Sequence, residues 1–243
     1  MIRLVGIEKS FAGRQVLCGL DLEVPESGVT FVVGRSGAGK SVLSRCCVGL
    51  LRPDAGEIWI AGERIDLWPE RALIELRCRV PYVVQGSGLI DWMDLMDNVA
   101  VPLVRALRLP RAEARERARA ALAQVGLSEL EQKRPPEMGP GARKRAAIAR
   151  ALALRPRAIL YDEPTTGLDA AAARRVDRLI REAARAGTTA LVVSHDLKSL
   201  ELIADRVALL DQGVVGYLGG VGEFFRAQEE HPAVRRFFHQ SEE

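Results

Sequence analysis

Eight residues, Gly34-Arg35-Ser36-Gly37-Ala38-Gly39-Lys40-Ser41, constrain this chain more than any others. They fill the pattern Gly-x-x-x-x-Gly-Lys-Ser between an apolar strand-like run (30–33) and an apolar helix-like run (42–51). A strand that enters a helix through a glycine-rich loop aims the loop N–H groups and the helix N-terminus at one point, which suits a phosphate. Lys40 is then placed to neutralise β/γ-phosphates and the Ser41 hydroxyl to hold Mg²⁺. The competing reading is a plain glycine-rich turn, and the correct flanks on both sides argue against it. Such a loop commits the surrounding chain to an α/β fold.

The remaining pattern agrees. Strand-like runs at 2–11, 16–24 and 29–33 are separated by turn signals at Ala12-Gly13 and at 25–28, and 56–62 reads as a short edge strand. Residues 80–85 read as a further strand ending in Gln85. From 86 to about 141 only helices are expected, the clearest at 111–125 with Ala114, Ala118, Ala121, Leu122 and Val125 at helical spacing and Gly126 as the stop. Strands return at 158–162, 189–194 and 207–210, with helices at 170–186 and 197–204 between them. Continuous apolar strands alternating with helices imply a parallel sheet covered on both faces. The divisions are 1–85 (first part of the core, with an edge β-subdomain), 86–141 (helical subdomain), 142–225 (second part of the core) and 226–243 (helical tail). Val234, Phe237 and Phe238 give the tail one apolar face, read as a docked helix, being too short for stable membrane anchoring.

Ile159-Leu160-Tyr161-Asp162-Glu163 supplies what a phosphate loop lacks. An apolar strand here delivers two acids to the C-terminal edge of a parallel sheet, where ligands bind. Asp162 is placed to reach Mg²⁺, and Glu163 to accept a proton from an attacking water. His195 ends another apolar strand at the same edge, which suits a contact with the γ-phosphate or the water. Gln85 ends a third, and a neutral amide there can orient water and bind Mg²⁺.

Composition excludes more than it selects. At 243 residues, 48% hydrophobic and 28% charged, the chain is long enough for a large core. A net charge of +3 with no dominant basic run gives no argument for nucleic acid. Cys18, Cys46, Cys47 and Cys78 form no C-x-x-C pair and the chain has only three histidines, so a zinc site is not expected; the adjacent Cys46 and Cys47 read as small buried thiols, with redox sensing as the alternative. The N-terminus reads as a strand start and no run reaches 18 apolar residues, so a protein inside the cell is expected.

Taken in order, the phosphate loop, Gln85, a glycine-rich segment before a helix, Asp162-Glu163, Gly167-Leu168-Asp169 and His195 resemble the ATP-binding subunits of ABC transporters. The resemblance covers residues 1–220 and implies a P-loop NTPase (RecA-like) core with an antiparallel edge β-subdomain and an inserted helical subdomain. It implies ATP and Mg²⁺ as ligands, with Ser41, Gln85 and Asp162 toward the metal, and an ATPase whose catalytic residues are Glu163, His195 and Gln85. Phe11 matches the aromatic residue that stacks on adenine; a core Phe at a strand end is the other reading. The resemblance also implies a head-to-tail dimer, each nucleotide lying beneath the partner's signature segment, with Asp169 in the loop that crosses to the second subunit. An integral permease would hold the protein on the cytoplasmic face of the inner membrane, and Leu89, Ile90, Trp92 and Met93 suit that contact if exposed or the small subdomain's own core if not.

The signature segment departs from the pattern. Leu-Ser-Gly-Gly followed by Gln or Met is usual, and this chain has Met138-Gly139-Pro140-Gly141-Ala142. The serine hydroxyl is missing at Gly139, and Pro140 has no N–H. Slow or partner-dependent turnover is the expectation. Arg143-Lys144-Arg145 is read as a solvated basic turn. The forms at 34–43, 80–85, 88–91 and 98–103, Tyr161 and the Pro-Ala-Val at 232–234 resemble the ATPases of MCE-type lipid transport systems, which would add an MCE-domain protein as partner. An amino-acid or cell-wall-remodelling permease is the alternative, and a degenerate nucleotide-binding regulatory module a further one.

Overall fold

The computed structural model describes residues 1–239. Its centre is a six-stranded sheet in which β3 (Val29–Gly34), β6 (Tyr82–Val83), β7 (Ala158–Asp162), β8 (Thr189–Val193) and β9 (Arg206–Asp211) run parallel, closed by antiparallel β10 (Val214–Gly220). The order across the sheet is β10-β9-β3-β8-β7-β6. The central strands are buried on both faces, and the period of two sorts their side chains. Phe31, Tyr161, Val192 and Leu209 join one apolar cluster; Val32, Leu160, Leu191 and Leu210 join the other.

One face carries helices alone. Here α3 (Leu95–Arg105), α4 (Arg111–Gln124) and α5 (Pro140–Ala153) pack together, beside α6 (Ala170–Arg185). The other face carries α1 (Lys40–Cys47), α2 (Glu70–Arg79) and a second, antiparallel sheet ordered β2-β1-β4-β5. Those strands are β1 (Ile2–Phe11), β2 (Arg14–Val24), β4 (Ala55–Ile60) and β5 (Glu63–Arg64). The expected edge strand at 56–62 is therefore flanked on both sides, by β1 and by the two-residue β5, which takes the edge.

Two local expectations are corrected. The strand read at 80–85 is only Tyr82–Val83, because Val80 still closes α2 with its N–H on the Leu76 carbonyl and Pro81 has no N–H to pair. The helix after the phosphate loop ends at Cys47, not near 51, where Gly49 adopts φ 65°. Helix α2 and strand β10 were not anticipated. The tail docks: α8 (Val221–Arg226) and α9 (Pro232–His239) bury Phe224, Val234 and Phe237 against the helical face, with Phe224 and Phe238 ring centroids 5.5 Å apart. Residues 240–243 of the expected tail lie outside the described residues. Cys46 and Cys47 are fully buried, and burial pushes the Cys46 thiol up to about 12, which keeps it protonated and inert. Among the described residues no helix is long and apolar enough to cross a membrane.

Candidate active site

The parallel strands deliver their C-terminal ends to one edge, and the phosphate loop leaves β3 there. Gly37 and Gly39 hold φ values of 77° and 101°, a region closed to most residues. At Gly34 a Cβ would lie 2.5 Å from the Leu210 carbonyl, so the loop can start this close to β9 only as glycine. Lys40 Nζ folds into the loop and donates to the carbonyls of Gly34 (2.7 Å) and Arg35 (3.0 Å). Burial lowers its pKa, while the nearby Glu163 and Asp162 carboxylates oppose that shift.

Ser41 Oγ donates to Asp162 Oδ1 at 3.2 Å. The second oxygen, Oδ2, accepts from the Tyr82 hydroxyl. Burial and the Asp162 charge both raise the Tyr82 pKa, so the phenol stays a donor. Ser41 and Gln85 line the cleft, and the buried Asp162 stands behind Ser41 as its hydrogen-bond partner, a set of hard oxygen donors of the kind Mg²⁺ prefers. Those residues fit the metal. Tyr82 was not anticipated as part of the site; its position in the strand facing β7 was the available signal.

Glu163 is 8% exposed and sits at φ 49°, a left-handed conformation costly for a side chain this long. The turn is pinned by Glu163 N–H on the Val193 carbonyl at 2.8 Å. Its Oε2 accepts from Thr166 Oγ1 (2.8 Å) and Ser194 Oγ (3.3 Å), and Oε1 lies 2.9 Å from His195 Nδ1. A carboxylate only accepts, so the imidazole donates from Nδ1. Phosphate loop, Gln85, Glu163, Thr165-Thr166-Gly167, His195 and Val42 line one open cleft, together with Arg14, Val16 and Phe237. Phe11 is 45% exposed with Lys9 Nζ 5.6 Å from its ring centre, and it is not among the lining residues.

Away from the cleft, Gly139 is the N-cap of α5 (φ −68°, ψ 160°) and Pro140 its first residue. Proline is well tolerated there, since the first helical N–H has no partner within the helix. Gly141 lies close to α6: a Cβ on it would approach Ala172 Cβ to 3.0 Å. Asp169 caps α6, accepting from Ala171 and Ala172 N–H at 2.9 and 2.8 Å. One expectation fails nearby. Lys144, read as part of a solvated turn, is only 6% exposed, because it lies on the face of α5 shared by Ala147, Ile148 and Ala151. Of the apolar residues at 89–93, only Trp92 is exposed (75%); Leu89 packs on the helical core, and Asn98 fixes the Ile90 main chain at 2.7 and 3.0 Å.

Comparisons with known proteins agree with this geometry. The family model described as ABC transporter matches residues 17–166. A methionine import ATP-binding protein of Mesorhizobium japonicum is 39% identical over 93% of this chain, which spans 62% of that relative's length. An L-cystine transport system ATP-binding protein of Escherichia coli is 37% identical over 97% of this chain and 96% of its own. Among solved structures, the dimeric cassette MJ0796 bound to ADP and Pi has a TM-score of 0.84 at 27% identity, covering 91% of this chain and 99% of its own. A cbiO1 protein of Clostridium perfringens, part of the ABC transporter complex cbiONQ, has 0.83 at 26%, covering 98% of each chain. These relatives are named for methionine and cystine, which turns the expected lipid and MCE assignment toward its amino-acid alternative. With the fold, and with the phosphate loop and Glu163 in one cleft, this chain belongs to the ABC transporter ATP-binding family.

Proposed function

We propose that the protein hydrolyses ATP to ADP and phosphate and energises a membrane permease of the amino-acid import type. One observation carries the hydrolytic part: a buried Glu163 carboxylate, held by His195, Thr166 and Ser194, in the cleft that is also lined by Lys40 and by Ser41, the hydrogen-bond partner of Asp162. Glu163 takes a proton from water as the water oxygen attacks the γ-phosphorus. The bond to the β,γ-bridging oxygen breaks, and ADP departs. His195 fixes the carboxylate and Lys40 neutralises the phosphates. Mg²⁺ held by Ser41, Asp162 and Gln85 would spread the developing charge. Phe11 or the Arg14–Val16 wall takes the base.

The cleft is one-sided, which supports a head-to-tail dimer in which Met138 to Ala142 and Asp169 of a second copy cover the nucleotide. Missing donors at Gly139 and Pro140 make that cover weak and turnover slow unless a permease assists. Trp92 is the exposed anchor for that partner, which would hold the protein at the cytoplasmic face of the inner membrane. The names of two relatives support the amino-acid cargo; no residue of this chain meets the cargo.

The test is affinity purification from membranes followed by phosphate release. Copurification of an importer permease, with turnover stimulated by an amino acid and its binding protein, supports the reading. A complex containing an MCE-domain protein would overturn the cargo. A complete complex that binds nucleotide and never releases phosphate would make the chain a regulatory module instead.

A further inference from the structure

The side chain of Lys144 passes from α5 to two places at once. Its Nζ donates to the main-chain carbonyl of Gln85 and, at 2.9 Å, to that of Glu163. Both acceptors belong to segments of the cleft, yet Lys144 itself does not line it. The helix that carries it begins at Pro140, so α5, the Gln85 loop and the backbone of Glu163 meet on one ammonium group. Glu163 needs such support. Its left-handed backbone is held on one side by its N–H on Val193, and Lys144 holds its carbonyl on the other.

A second side chain of the same helix separates this role from simple anchoring. Arg150 donates to the carbonyls of Ser87 (3.2 Å) and Gly88 (2.7 Å), so α5 grips the loop after Gln85 twice. Only Lys144 also reaches Glu163. A plain charge-neutralising lysine is a poorer account, because its hydrogen bonds run to carbonyls and leave the Asp162 and Glu163 carboxylates to Ser41, Tyr82, Thr166, Ser194 and His195.

We propose that Lys144 is a positioning residue that locks the Glu163 turn to the Gln85 segment, so that displacement of α5 or of that segment moves the catalytic carboxylate. The assignment rests on the ATPase reading above. A small misplacement of a catalytic group commonly costs one to two orders of magnitude in rate.

The experiment compares Lys144→Met, which keeps the stem and removes the donors, with Lys144→Gln, which keeps two N–H donors without the charge, and with Arg150→Met. Lys144→Met should lower kcat on the order of 10- to 100-fold with KM for ATP changed less than about threefold. Lys144→Gln should recover most of the loss. Amide exchange on the nucleotide-free proteins should rise in both the 84–90 and 162–168 segments for Lys144→Met, and in 84–90 alone for Arg150→Met. A Lys144→Met variant with wild-type kcat, a glutamine variant as inactive as the methionine one, or exchange that rises in only one segment would overturn the lock. If the wild-type protein hydrolyses no ATP, the function proposal fails, and the exchange measurement still decides the link.

Discussion

His195 Nδ1 stands 2.9 Å from Glu163 Oε1, on an imidazole whose side chain is 64% exposed beside a carboxylate that is 11% exposed. The pair joins a solvent-accessible ring to a buried acid at the open edge of the sheet. Thr166 and Ser194 occupy the other carboxylate oxygen; Ser194 is buried, whereas Thr166 and His195 are exposed and both line the cleft.

Glu163→Gln should therefore bind ATP and fail to turn it over. The amide keeps the shape and loses the basicity, and removal of a general base lowers kcat by roughly 10²- to 10⁴-fold. His195→Ala should lower kcat as well, by less, because Thr166 still orients the carboxylate. Phosphate release and equilibrium binding of a fluorescent ATP analogue, measured side by side, check both. Loss of binding in parallel with rate would place Glu163 in nucleotide binding instead.

Tyr82→Phe tests the metal side. The hydroxyl holds Asp162 Oδ2 while Oδ1 accepts from Ser41. Without it the carboxylate can rotate away from Ser41, and loss of such an outer partner typically weakens a metal by 10- to 100-fold. The expected result is a higher Mg²⁺ concentration for half-maximal ATPase activity, with the saturated rate largely restored. An unchanged Mg²⁺ requirement would reduce Tyr82 to a packing residue.

The site was readable in the chain wherever a backbone feature demanded a residue type. Glycines at 34, 37 and 39, an apolar run ending in two acids and a histidine after Ser194 each report a local geometry, and each lies in or beside the cleft. Strand β7 matched its expected range because a continuous apolar run buried on both faces has no alternative register at its ends. What stayed hidden depended on long-range contacts. Tyr82 reaches Asp162 across 80 positions and Lys144 reaches Gln85 across 59. The Arg-Lys-Arg run looks like solvent-facing charge, although Lys144, Ala147, Ile148 and Ala151 already trace one helical stripe. Strand β10 was missed because its glycines and half-exposed residues give it no clear alternation.

Asp177 gives the fold a pH dependence. It is 3% exposed; Oδ2 accepts from Ser199 Oγ at 3.0 Å, and Oδ1 has no hydrogen-bond partner among the described residues. Ser199 Oγ is also 2.9 Å from Asp196 Oδ2, and one hydroxyl proton cannot serve both acids. Burial first, and the Asp196 charge after it, push Asp177 up from 3.8 to about 6, while the Ser199 bond opposes them. A protonated Asp177 can donate to Ser199, which then donates to Asp196. Because the folded pKa is raised, this contribution is fully present below pH 3.8 and is lost as pH rises through about 6. The shift corresponds to about 3 kcal/mol as an order of magnitude. Asp177→Asn, neutral at every pH, should be more stable than wild type at pH 8 and close to it at pH 4, as read from urea denaturation. An equal difference at both values would sink the assignment.

The altered cover of the site can be restored. Gly139 has N-cap dihedrals and a Cβ built on it meets nothing within 4 Å, so serine fits without strain. As a cap, serine exceeds glycine by only a few tenths of a kcal/mol, so stability should barely move. In the proposed head-to-tail dimer its value would lie across the interface, where a hydroxyl donor to a phosphate oxygen contributes roughly 1.5–3 kcal/mol. Pro140→Gly adds an N–H at the first helical position and loses proline's fixed φ, so the double variant tightens the nucleotide and softens the helix start. Gly139→Ser should lower the ATP concentration needed for half-maximal turnover and raise the rate of the isolated protein, and the double variant should raise it further. If neither variant responds, the changes at Gly139 and Pro140 are not what limits turnover, and the proposed weak cover is wrong.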